Sequence, residues 1–285
     1  MKEILLDIVK GALIGVANVI PGVSGGTIAV STGVYEKMIN AISNIRKEFK
    51  QSIKTLWPIL VGIVIGIIGL AFIITYLLEN FPVPTTACFI GLVLGGVPVL
   101  YNKVKDEQLK FTHIIAFLIT IALIIIPSVI ASNTPAVTSI DFNIINILIL
   151  VLLGIISAAA MVVPGVSGSM ILMMLGYYNL IINTIKETIS SAIHFEMEPL
   201  LLGIKIMIPF AIGVLIGIIV ISKIISYILK KWPNASVWGI LGLVTASPFA
   251  IIVKLGFVVV SPEIIIASII TFIIGYLISS KLGEK

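Results

Sequence analysis

Six stretches of this 285-residue chain run for roughly twenty residues with almost no charge: 57–78, 85–101, 111–130, 206–229, 237–253 and 262–280. A helix needs about 20 apolar residues to cross the hydrocarbon core of a bilayer. Of the whole chain 59% is apolar and 11% charged, with a mean hydropathy of +1.23; a soluble domain carries about 25% charged residues. That much apolar surface cannot be hidden in one soluble core. A soluble enzyme, a nucleic-acid binder, a disulfide scaffold and a disordered chain are excluded. A membrane β-barrel would show short alternating strands instead of long runs. The expectation is an all-α polytopic membrane protein, with residues 1–285 forming a single membrane domain whose partner is the bilayer. The one cysteine, Cys88, forms no intrachain disulfide and reads as a small packing residue.

Two further apolar regions are broken. One, 4–34, is interrupted at Pro21-Gly22-Val23-Ser24-Gly25-Gly26-Thr27; the other, 144–185, at Pro164-Gly165-Val166-Ser167-Gly168-Ser169. Proline lacks an N–H and disfavours helix just before it, while glycine opens backbone angles closed to other residues. Such a run stops a helix and restarts it, with Ser24 or Ser167 as N-cap. After the first break only Thr27 to Val34 is apolar before Glu36 and Lys37. Eight residues rise about 12 Å, short of the ~30 Å core, so this region is expected to enter the membrane, turn and return. The second region is longer after its break, and a full crossing there stays open.

The two halves match. Pro21 pairs with Pro164, Gly33 with Gly176 and Tyr35 with Tyr178 at an offset of 143; Pro58, Gly62 and Gly66 pair with Pro209, Gly213 and Gly217 at an offset of 151. An ordered series of matches indicates an internal duplication, with repeats over 1–131 and 144–285. Each repeat would hold one re-entrant helical hairpin and three transmembrane helices. Three is odd, so the second repeat inserts upside down, the inverted arrangement found in secondary transporters. With the N-terminus inside, fifteen lysines and arginines fall on the cytoplasmic side and three, Lys186, Lys205 and Lys254, outside. That positive-inside bias predicts a multi-pass protein of the cytoplasmic membrane with both termini in the cytoplasm.

The breaks carry the chemistry. A helix N-terminus presents unpaired N–H groups and about +0.5 of an elementary charge, a ready anion site. Gly22, Gly25, Gly26, Gly165 and Gly168 permit close backbone approach. Ser24, Thr27, Ser167 and Ser169 add hydroxyls, and Pro21 and Pro164 set the breaks. Two such nests suit a phosphate or a carboxylate. Lys54 and Lys205, each four residues before a matched proline, are candidates to capture a headgroup at either entrance, or else interfacial anchors. Gly62, Gly66, Gly69, Gly213 and Gly217 read as close helix packing. Asp7 and Lys10, three apart, read as a local pair. With Glu36, Asp7 is a carboxylate flanking the first hairpin, and none sits at mid-crossing. No Cys, His or carboxylate cluster suggests a metal or a cofactor.

The paired Pro-Gly-Val-Ser-Gly motifs, at matched places in a chain of this length, resemble those of the bacterial and archaeal polyprenyl-phosphate transporters (PopT, undecaprenyl-phosphate translocases). The resemblance implies a flippase, not an enzyme, that returns a polyprenyl phosphate carrier to the inner leaflet for reuse in envelope synthesis. The matched motif residues would be its headgroup site. The residues alone also admit a transporter of another organic or inorganic anion. A polyprenyl-diphosphate phosphatase fits less well, since neither motif holds Glu, Asp or His and the one arginine, Arg46, lies outside both. A coupling proton or sodium ion and the oligomeric state are left open.

Overall fold

The computed structural model describes residues 2–19, 23–130, 135–255 and 261–283. Among them there is no strand. In chain order the helices are α1 (Lys2–Val19), α2 (Gly25–Ser31), α3 (Tyr35–Ser43), α4 (Phe49–Asn80), α5 (Pro82–Leu94), α6 (Val97–Asn102) and α7 (Phe111–Ile130). Then follow α8 (Ile144–Val162), α9 (Gly168–Met174), α10 (Tyr178–His194), α11 (Met197–Lys231), α12 (Pro233–Leu255) and α13 (Pro262–Gly283). Six described segments have the length and apolarity of a span: Phe49–Leu70, Pro82–Asn102, Ile144–Val162, Met197–Lys231, Pro233–Val253 and Pro262–Gly283. A multi-pass helical membrane protein follows.

The spans differ from expectation in three ways. First, α4 and α11 start well before the apolar runs, at 32 and 35 residues, so Pro58 and Pro209 lie inside helices instead of opening them. The N–H each proline lacks would have met the carbonyl four residues back, at Lys54 and Lys205. Second, the 85–101 run is one span kinked between α5 and α6 at Gly95-Gly96, which press against Tyr276 and Ser31. Third, α8 has 19 residues, about 28 Å of rise, the length of a full span.

The chain divides into two compact units, one of Met1–Val129, Val163–Val166 and Ser222–Lys285, the other of Ile130–Val162 and Ser167–Ile221. In the first, α1 lies along α4 through glycine-to-carbonyl contacts. A Cβ added to Gly11 would sit on the Ile59 carbonyl oxygen, one on Gly62 on that of Ile8, and one on Gly66 on that of Ala12. In the second, α8 lies along α11 in the same way, Gly154 on Phe210, Gly213 on Val151 and Gly217 on Ile155. Each contact in one unit is its counterpart in the other shifted by the two offsets of the sequence match. Gly69 meets only Ile65 of its own helix and takes no part in this seam.

Candidate functional site

Both short helices after the breaks have seven residues and the same frame. Ser24 (φ −99°, ψ 126°) and Ser167 (φ −102°, ψ 124°) stand at their N-caps in extended conformation. At the other end each closes identically. The Gly33 N–H bonds the Val30 carbonyl and the Val34 N–H that of Ala29; the Gly176 N–H bonds Met173 and the Tyr177 N–H Leu172. Gly33 and Gly176 have φ of 76° and 81°, the left-handed angle that favours glycine at this cap. After the second cap α10 leaves at 116° to α9, so the chain turns sharply at the matched tyrosine.

The serines do not cap their helices with their side chains, contrary to the N-cap expectation. The Ser24 hydroxyl is buried without a hydrogen-bond partner, while that of Ser167 pairs with the Ser169 hydroxyl at 2.7 Å. Helices of two turns also sum few peptide dipoles. The polar character of the motifs therefore rests on hydroxyls and turn amides. Gly25 and Gly168 leave no room for a side chain: a Cβ would run into the Asn18 amide in the first and into Met161 and the Ser157 carbonyl in the second. Gly26 is half-buried. Pro21 and Gly22 lie outside the described residues.

The turn of the second motif, Val163–Val166, belongs to the first unit, where it meets the first motif. The Gly165 N–H donates to the Thr27 hydroxyl at 2.6 Å, with both groups buried. Gly165 has φ +82°, and a Cβ there would stand 2.9 Å from the Leu243 carbonyl oxygen and the Ile124 methyl. Pro164 beside it closes one end of an apolar groove of about 530 Å³ between α7, the end of α11 and α12. No sequence signal marked this groove, because its wall is built from helices far apart in the chain.

The lysine candidates lie on exposed helix surface. Lys54 is exposed on α4, and Lys205 holds its ammonium 5.8 Å over the Phe142 ring. The carboxylates of Asp7 and Glu36 are paired, Asp7 with Lys37 and Glu36 with Lys103 at 2.8 Å. Asp7 thus bonds across to α3 and not to Lys10. Lys10 is buried near both partners. Among the described residues no group of three His, Cys, Asp or Glu side chains could hold a metal ion.

Long apolar helices, with two matched seven-residue helices each preceded by an extended serine, define a polytopic helical membrane protein. A family model described as undecaprenyl phosphate translocase-like matches residues 14–256, and the chain belongs to that family. It is 32% identical to a polyprenyl-phosphate transporter of Staphylococcus aureus, over 98% of this chain and 96% of the relative. It is 30% identical to a polyprenyl-phosphate transporter of Vibrio cholerae, over 82% of this chain and 73% of that one. Both relatives are named as transporters, and the chain is a transporter and not an enzyme. No solved structure matches it.

Proposed function

We propose that the protein carries polyprenyl phosphate across the cytoplasmic membrane, returning it to the inner leaflet, without breaking a covalent bond. The phosphate is taken by the motif donors of both halves: Ser24, Thr27 and the amides from Gly22 to Gly26 in the first, and Gly165, Ser167, Gly168 and Ser169 in the second. Pro21 and Pro164 hold the breaks open. The long tail stays in an apolar environment while the headgroup passes. Repeats over 1–131 and 144–285, inverted and with both termini cytoplasmic, would rock around this headgroup and meet it from either face.

One observation carries the reading: the Thr27 hydroxyl and the Gly165 amide, one from each motif, bury a hydrogen bond against each other. Polar backbone at membrane depth is tolerated where it is satisfied by protein or lines a path. The Ser24 hydroxyl, buried without a protein partner, adds to the polar groups of the first motif, and the matched caps and glycine seams support the duplication. The family and its two named relatives supply the substrate class.

The test is binding by purified protein in nanodiscs, comparing polyprenyl phosphate, the matching alcohol and inorganic phosphate. Wild type is expected to prefer the lipid phosphate, and Ser24→Ala/Ser167→Ala to lose that preference. Equal binding of inorganic phosphate or small carboxylates would point to a soluble anion as cargo, and release of phosphate from the lipid to an enzyme.

A further inference from the structure

We infer that the apolar groove of the first unit is a binding site for the first few isoprene units of the lipid, those next to the phosphate. The inference rests on the function proposed above and extends it from headgroup to tail.

The groove lies wholly within that unit, and one of its walls is the motif itself. Pro164 lines it, and the next residue, Gly165, gives its amide to Thr27. A ligand whose polar end reached this turn would have its adjoining carbons in the groove. Leu243 lines the groove at the same place, its carbonyl close to Gly165. From there the groove follows α12 back to Ala235, eight residues or about 12 Å of helix. Trp232 stands at the far end, where Lys231 lies 4.6 Å over its ring. An aromatic ring and a lysine mark a membrane interface, and in the proposed orientation this interface is cytoplasmic.

The lining selects an apolar occupant. Branched aliphatic side chains such as Ile119, Ile225 and Ile240 form the walls, and Ala116 and Gly239 leave the trough between them. Two of the four hydroxyl-bearing residues in the lining turn theirs away. Thr120 bonds the Ala116 and Phe117 carbonyls, and Ser236 bonds those of Ile228 and Trp232. A free phosphate or carboxylate would find no hydroxyl donor on either residue, whereas methyl-branched hydrocarbon would. The volume is that of a small-molecule site, about 300–1,000 Å³, and holds the start of a polyprenyl chain but not its whole length.

The experiment uses the full chain in nanodiscs and a ladder of prenyl phosphates of increasing length, with phosphatidic acid as the straight-chain comparison. Wild-type affinity should climb over the first few units and then level off, and phosphatidic acid should fall below the plateau. A Cβ at Gly239 has room, its nearest neighbour being the Thr120 methyl at 3.5 Å, so Gly239→Leu projects into the trough without disturbing backbone. It should lower affinity for the long prenyl phosphates by about tenfold and flatten the ladder, while binding of the shortest one is kept. Ala235→Leu, which fills the same trough one turn away, should do the same and serves if Gly239→Leu does not fold. An unchanged ladder in folded variants, or a wild-type affinity indifferent to chain length, overturns the groove assignment and leaves the headgroup reading standing. No binding of any prenyl phosphate by wild type overturns both. Equal binding of phosphatidic acid overturns the choice of an isoprenoid.

Discussion

The hydroxyl of Thr27 accepts a 2.6 Å hydrogen bond from the amide of Gly165, 138 residues further along the chain. It joins the first break to the second at a point where neither group meets water. The position 143 residues after Thr27 is Met170, which carries no hydroxyl.

Thr27→Val keeps the shape and removes the acceptor. The Gly165 N–H would then be buried without a partner, at a cost of about 1–3 kcal/mol. The expected result is a lower midpoint of thermal unfolding in detergent, together with weakened binding of prenyl phosphate. Thr27→Ser should keep most of both. Equal behaviour of the serine and valine variants would show that the hydroxyl does not matter.

Gly165→Ala meets two obstacles. Its φ of +82° costs an L-residue roughly 1–2 kcal/mol, and its Cβ would press on the Leu243 carbonyl oxygen at 2.9 Å. Gly176→Ala shares the first, at the cap of α9. Unfolding midpoints should therefore fall further for Gly165→Ala than for Gly176→Ala, a comparison that separates local strain from packing.

Local features of this molecule were legible in the sequence, and distant ones were not. The breaks and the glycine spacing of α4 and α11 follow from the proline and glycine positions themselves; the match of Gly33 with Gly176 is visible in the sequence, and their left-handed angle is not. The partner of Gly62 could not be read, because the Ile8 carbonyl comes from another helix. The same limit explains Asp7: its spacing to Lys10 suggests a turn-to-turn pair, yet α3 brings Lys37 to it. The early start of α4 lies in polar turns, where hydropathy ends and the helix does not, whereas that of α11 is cut off from its apolar run by Lys205. The groove beside Pro164 needs α7, α11 and α12 together, and no local pattern encodes that.

The ion pair of Asp7 and Lys37 predicts an asymmetry between its partners. The Asp7 side chain is 12% exposed and that of Lys37 45%, and buried Lys10 lies close to both. Asp7→Asn leaves two lysines facing each other without a counter-charge. Lys37→Met leaves Asp7 with Lys10 nearby. Removing one member of a pair half open to solvent costs less than the about 3–5 kcal/mol of a fully buried one, and the larger share of the loss should fall on Asp7→Asn. Chemical unfolding of the two variants in the same detergent checks the order, and a greater loss in Lys37→Met would sink the argument.

Matched glycines supply the most direct test of the duplication. A Cβ at Gly62 would overlap the Ile8 carbonyl oxygen, and one at Gly213 would overlap that of Val151. The two seams share a geometry, so Gly62→Ala and Gly213→Ala should each push the helices apart at a cost of about 1–3 kcal/mol. Gly69→Ala, which meets only its own helix, should cost nothing and gain slightly from helix propensity. The three variants are compared by unfolding midpoint and by uptake of prenyl phosphate into proteoliposomes. If the seams are the surfaces on which two repeats hold their broken helices, the first two variants should lose stability and transport together and to a similar degree. A loss confined to one of them would mean that matching sequence positions had taken on different structural work.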